Sequence, residues 1–292
     1  MTQGLDKILS WSIGSRSYSL DFSKPLIMAI INVTPDSFSD GGLFFEPAKA
    51  IELAANHLKE GADILDLGAE TTRPGSQATD EKEEWRRLEP ILSYLANLKP
   101  TPVVSVDTNK ASVAQRALEA GASIINDIYA GRNDPQIFEV AATYGAPIIL
   151  MHMLGEPRTM QIEPHYQDVV TEVRDFLLER ALAAEKAGIP KERIILDPGL
   201  GFGKNADHNL RLLNRFEQVI PQGYHSMMAL SRKNFLGRIL EEQNPLNRDL
   251  ATAAANAIAV NKGAQIVRVH RVGPSLQASK VAFAARLESP SI

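Results

Sequence analysis

Apolar runs of strand length alternate with amphipathic stretches along this chain, and nearly every run gives way to polar residues at its carboxyl end. IMAIINVTPDSFSDGG (27–42) sets the pattern: an apolar strand that switches at Asn32 into a loop dense in oxygen and hydrogen-bonding groups. ADILDLGAETTRPG (62–75), PVVSVDT (102–108), ASIINDI (122–128), APIILMHM (146–153), RIILDPGLGFGK (193–204), HSMMALSRKNF (225–235) and AQIVRVH (264–270) repeat it. The intervening segments carry apolar residues at helical spacing, over 46–60, 83–98, 110–121, about ten residues after 128, 165–187, around LRLLNRF, 247–262 and 274–287.

Eight strand–helix units without a break predict an α/β fold, a (β/α)8 TIM barrel. The strands are near-continuous Ile, Leu, Val and Met, as parallel strands covered on both faces require. Residues 10–24 alternate loosely around an IGS turn and predict a short N-terminal hairpin. The whole of 1–292 reads as one domain, with the barrel core over about 26–287.

Composition narrows the function. A net charge of −4 with no basic block argues against nucleic acid, and the absence of Cys removes thiolate metal sites and a Cys nucleophile. No run reaches the roughly 20 apolar residues of a membrane span, and MTQGLDKILSWSIGS lacks a secretory pattern, so a soluble cytoplasmic protein is expected.

The chemistry gathers at strand ends: Asn32, Asp107, Asn126, Asp197, Lys233, Arg268 and His270 would share one barrel face, where barrel enzymes hold their active sites. DPGLGFGK brings four Gly or Pro residues to one turn, letting backbone approach a flat or anionic ligand. Arg268 and His270 are two apart on a strand and predict a phosphate or pyrophosphate site on one face. Asp107, Asn126 and Asp197 suit a ligand edge rich in N–H donors, or equally a general acid/base pair. Lys233 is the one Lys expected to enter the pocket from a strand end.

NVTPDSFSDGG, DLGAETTRPG, SVDT, IINDI, MHMLGEPRTMQ, DPGLGFGK, SRKNFLG and RVH, in this order, resemble the dihydropteroate synthases of folate biosynthesis from about residue 26 to 285. The resemblance implies a transferase that joins 6-hydroxymethyl-7,8-dihydropterin pyrophosphate to para-aminobenzoate by a dissociative route. It also implies Mg²⁺ as cofactor, pyrophosphate as the released product, and sulfonamides as inhibitors. By motif position, Asp107, Asn126, Met151, Asp197 and Lys233 would hold the pterin. Thr72, Arg73, Pro74, Phe202, Lys233 and Asn234 would border the aminobenzoate; Asn32, Thr72, Arg268 and His270 would hold the pyrophosphate, with Asn32 also on the metal. Lys233, Asp107, Asp197 and Arg268 would be the catalytic group, and loops 33–42 and 70–80 would close over the substrates.

Three positions depart from that family's usual residues: Thr71 and Asn234 stand where Ser is common, and Arg271 stands where Asp is common. Strand parity predicts that Arg271 faces away from Arg268 and His270. The alternatives are a pterin-dependent corrinoid methyltransferase barrel and a non-catalytic pterin-binding barrel. The family further implies a homodimer, for which the Ala-rich stretch LATAAANAIAV (250–260) offers a contact face or, equally, a surface packed on its own barrel.

Overall fold

The computed structural model describes residues 5–34, 47–70, 79–156 and 159–289. Eight parallel strands close into a barrel: β3 (Leu26–Asn32), β4 (Ile64–Gly68), β5 (Val103–Asp107), β6 (Ile124–Asp127), β7 (Ile148–Met151), β8 (Ile194–Asp197), β9 (His225–Ala229) and β10 (Ile266–Val269). They pair in chain order, and β10 returns to pair with β3, aligning Ile266 with Leu26 and Arg268 with Met28. The ring therefore shuts on its own first strand and leaves no open edge.

Helices follow the strands: α1 (Pro47–Glu60), α2 (Glu81–Ala96), α3 (Ala111–Ala120), α4 (Gln136–Tyr144), α5 (Val169–Lys186), α6 (Ala206–Asn214), α7 (Phe216–Val219), α8 (Asn234–Leu240), α9 (Asp249–Asn261) and α10 (Val272–Leu287). Local sequence explains their starts. Asp80 accepts from Glu83 N at the head of α2, and Asn205 with His208 forms a reciprocal cap on α6.

Before the barrel, β1 (Ile8–Ile13) and β2 (Arg16–Asp21) form the antiparallel hairpin expected from 10–24. It covers the amino-terminal mouth. Trp11 Nε1 donates to Ser123 O at 2.9 Å, just ahead of β6, and the Phe22 ring stacks on His225, the first residue of β9, at 3.8 Å.

Two predicted boundaries move. β9 stops at Ala229, so Ser231 to Lys233 lie in a turn that leads directly into the short helix α8, which the apolar pattern did not separate. β10 stops at Val269, leaving His270 and Arg271 beyond the hydrogen-bonded ladder, and α10 begins at Val272.

Candidate active site

Register decides which side chains enter the barrel. Asn32, Gly68, Asp107 and Asn126 are successive partners across β3, β4, β5 and β6, so they form one rung and face one way. A side chain is missing in the middle of the rung. A Cβ on Gly68 would lie 3.5 Å from Asp107 Cβ and 3.7 Å from Asn32 Oδ1, so glycine leaves the space between the two polar groups open.

One step deeper is Asp66, aligned with Ile30 and Ser105 and fully buried. The Arg268 side chain, rooted on β10, donates through Nε to Asp66 Oδ2 at 2.6 Å and through Nη2 to Asp107 Oδ2 at 2.8 Å. Asn126 Nδ2 donates to the same Asp66 oxygen at 3.2 Å. Burial opposes the guanidinium charge, yet Asp66 and Asp107 outweigh it and hold the Arg268 pKa above its ordinary value. Burial pushes the Asp107 carboxyl up, with Arg268 pulling the other way.

On the opposite side, Asp197 ends β8 level with Met151 on β7, and its Oδ1 accepts from Gly199 N at 2.8 Å. Burial raises its pKa, opposed by that N–H and by the charge of Lys233. The Lys233 stem runs along Gly201, where an added Cβ would meet Cδ at 3.0 Å. Its ammonium lies 4.2 Å from the centre of the Phe202 ring. Burial lowers the Lys233 pKa to about 8, against the attraction of Asp197. Met151 and Phe202 join Ile128, Tyr129, Met153 and Met160 in a small apolar cluster, which gives this side of the mouth a flat, greasy wall.

The predicted residues thus sort unevenly. Asn32, Asp107, Asn126 and Arg268 share the rung and its floor, while Asp197, Lys233, Met151 and Phe202 share the opposite wall. Asn234 is exposed at the head of α8, and its Oδ1 accepts from Arg248 Nη1 at 3.1 Å, so its side chain is engaged outside the pocket residues. Thr71, Thr72, Arg73 and Pro74 fall outside the described residues, as does most of 33–42 and 70–80.

His270, expected to share the anion site with Arg268, is tied to Ser231. Its N–H donates to Ser231 Oγ at 3.1 Å and its Nδ1 lies 2.8 Å from the same oxygen. Burial, with Arg232 and Arg268 nearby, drops its pKa to about 3, so the ring is a neutral hydrogen-bonding group. The parity argument for Arg271 fails in its premise, because the strand has already ended. Arg271 is nonetheless exposed, at the head of α10, and its charge acts on His57 of α1.

Sequence reasoning missed Asp66, Ser231 and Lys204. The signal for Asp66 was present: a lone carboxylate inside ILDLG, two residues before a glycine that faces the same way. Asp127, beside Asn126, points the other way; its carboxylate accepts from Tyr129 N and Gly131 N and closes the turn after β6.

A barrel mouth with amide and carboxylate acceptors, two cations and a flat apolar wall defines a receptor for a planar, N–H-rich heterocycle carrying an anion, and residues 28–270 match the sequence profile of the family described as pterin binding enzyme. The dihydropteroate synthase of Synechocystis sp. is 43% identical over 258 residues, covering 88% of this chain and 89% of its own. The Yersinia pestis dihydropteroate synthase, solved with a sulfonamide drug complex, superposes with a TM-score of 0.88 at 38% identity, covering 96% of this chain and 100% of its own. The Xanthomonas albilineans enzyme, solved in complex with 7,8-dihydropteroate, gives a TM-score of 0.82 at 38% identity over 92% of this chain and 96% of its own. The chain belongs to the dihydropteroate synthases. The corrinoid methyltransferase alternative gives way to that membership.

Proposed function

We propose that this protein condenses 6-hydroxymethyl-7,8-dihydropterin pyrophosphate with para-aminobenzoate, giving 7,8-dihydropteroate and pyrophosphate. The observation that carries the reading is the convergence of Asp107, Asn126, Asp197, Lys233 and Arg268 on one mouth, in a chain of this family.

In the reaction the methylene C–O bond breaks, pyrophosphate leaves with the bonding pair, the arylamine nitrogen forms the new C–N bond, and its proton passes to the departing anion or to water. The chain's part is positioning and charge stabilisation rather than strong base catalysis. Asp107, Asn126 and Asp197 accept from the pterin N–H edge while Met151 packs on its ring. Arg268 turns from Asp66 and Asp107 toward the pyrophosphate as that anion arrives. His270 adds a neutral hydrogen bond. Lys233, charged below about pH 8, spans the pterin and the aminobenzoate, with Phe202 as the arylamine wall.

Asn32 is a single amide oxygen at a strand end, and among the described residues no group of three or more His, Cys, Asp or Glu could hold a metal. Such a donor set fits a magnesium ion held mainly by pyrophosphate and water, with Asn32 as the protein ligand. Where magnesium is bound, the chemistry supplied there is partial neutralisation of the leaving pyrophosphate.

Sulfonamides, as aminobenzoate mimics, compete at the Phe202 side in this reading. A homodimer in the cytoplasm is also part of it. The exposed Leu250 and Ile258 on α9, with Val281 on α10, support a contact face there. Among the described residues no helix is long and apolar enough to cross a membrane.

The test is pyrophosphate release measured with each substrate alone and with both. Release that requires both, with magnesium present, is the expected result. Release from the pterin substrate alone at the full rate, or none with both, would overturn the assignment.

A further inference from the structure

Beneath the glycine-rich turn lies a buried lysine that the proposed chemistry does not use. Lys204 ends DPGLGFGK and is only 2% exposed. Its Nζ lies 2.8 Å from His152 Nδ1, 3.0 Å from Gly199 O, 3.0 Å from Phe202 O and 3.4 Å from His152 O. No carboxylate is among these partners. Burial, opposed by the charge of Asp197, pushes its pKa well below the ordinary lysine value, and Met or Leu would fill the space without desolvating a polar group. What the amine supplies is N–H donation to those carbonyls and a hydrogen bond with the imidazole.

Those acceptors are informative. Gly199 O and Phe202 O bracket Leu200 and Gly201, so the two bonds draw both ends of the arc toward one point. Above the arc, Gly201 supports the Lys233 stem and Phe202 faces the Lys233 ammonium. The third partner ties the arc to the neighbouring strand end, because His152 N donates to Asp197 O at 3.0 Å and its ring packs edge-on against Phe176 at 4.8 Å. Other carbonyls and amides of the arc are tied elsewhere: Gly201 N to Asn209 Oδ1 at 2.7 Å, Gly203 O to the Tyr166 hydroxyl at 2.8 Å. Gly199 itself approaches so closely that a Cβ there would lie 1.9 Å from His152 O. The arc has little freedom left: Phe202 N closes it on Gly199 O at 3.1 Å, and Lys204 binds the carbonyls of both ends from below.

We propose that Lys204 is a positioning residue for the arylamine half of the reaction: by holding Gly199 O and Phe202 O beneath the turn, it fixes the direction in which the Phe202 ring faces the pocket. The inference rests on the assignment of Phe202 to the aminobenzoate side.

The test compares wild type with Lys204→Met, which keeps length and loses the donors. The expected result is a KM for para-aminobenzoate raised about tenfold or more, a kcat at saturating aminobenzoate within about threefold, and pterin affinity by fluorescence within about threefold. A turn that serves only stability would instead weaken both substrates together as the melting temperature falls, and that result would overturn the proposal, as would an unchanged KM. Should Lys204→Met fail to fold, His152→Phe retains the ring packing and removes the ring nitrogen that Lys204 meets; a rise in the aminobenzoate KM alone is expected again, and no rise would overturn the proposal. A wild-type chain that turns over nothing removes the functional assignment and this inference with it, whereas active wild type with an indifferent Lys204→Met removes only the inference.

Discussion

Arg268 and Asp66 stand 202 residues apart in the chain and 2.6 Å apart at the floor of the mouth, where one Asp66 oxygen receives the Arg268 Nε and the Asn126 amide together. The pair sets the resting direction of the guanidinium that the proposed function assigns to the pyrophosphate. Asp66→Asn keeps the shape and removes the charge, and losing a charge-assisted bond of this kind costs about 1.5–3 kcal/mol. We expect kcat/KM to fall about tenfold or more in Asp66→Asn and at least as much in Arg268→Ala, which also strands two carboxylates. Arg271→Asp, outside the ladder and exposed, is expected to change kcat/KM by less than about threefold. Steady-state kinetics on the three variants decide it; equal losses in Arg271→Asp and Arg268→Ala would put Arg271 on the anion.

The Lys233 ammonium gives a second handle. Its pKa is lowered to about 8 by burial, so the cation is present below that pH and lost as pH rises through it. The rate at limiting aminobenzoate is expected to decline across that range. Lys233→Arg, whose guanidinium stays charged, should show a lower rate that holds to roughly pH 10. A pH–rate profile with the same basic limb in both proteins would assign that limb to another group.

Glycine geometry predicts a sharp contrast between two turns. Gly199 has φ +64° and no room for a Cβ, whereas Gly14, at φ +58° in the hairpin turn, meets nothing within 4 Å. Gly199→Ala combines backbone strain with overlap and should cost about 2–4 kcal/mol, against about 1 kcal/mol for Gly14→Ala. Thermal unfolding of both variants measures the difference, and similar melting temperatures would contradict the close approach at His152 O.

At the other end of the barrel, Trp11→Ala removes the side chain that ties the hairpin to Ser123 O, at a cost of about 3–5 kcal/mol. Because the mouth with the site is at the opposite end, kcat/KM per folded molecule should stay within about twofold. Calorimetry and kinetics on the same preparation test both halves of that statement.

His225, stacked on Phe22, makes this end sensitive to acid. Burial lowers its pKa to about 4, from an ordinary value near 6.5. A depressed folded pKa means the stability is complete above about pH 6.5 and erodes as pH falls toward 4, by on the order of 3 kcal/mol. Replacing it with Phe should flatten the melting temperature across that window; an unaltered slope would point to other groups.

How much of this was legible in the sequence depends on what each signal reports. Strands covered on both faces must be apolar throughout, so all eight and their order could be read directly, and the polar residues after them marked the mouth. Where a strand stops is a different quantity. The switch from apolar to polar reports burial, whereas the strand ends where the hydrogen-bond ladder ends, and this separation is why Ser231, Lys233 and His270 were placed on strands that finish earlier. Asp66 was hidden for the opposite reason: flanked by Leu65 and Leu67, it looked like part of a core run, and its partner came from the far end of the chain. The Lys204 side chain was obscured by the glycines before it, which explained the turn without needing a buried amine. The neutrality of His270 could not be read at all, because burial, which sets it, is not a property of a short motif.

The ring has one further consequence. The floor of the mouth takes Asp66 from the second barrel strand and Arg268 from the last, and the last strand joins the sheet by docking between β9 and β3. Competence therefore arrives at a single moment, when the two ends of the sheet meet. A nascent chain halted before Ile266 holds most of the residues discussed above and none of the cation that neutralises Asp66. Recovery of turnover during refolding would report ring closure itself, later than any signal from helix content or from the strands that form first.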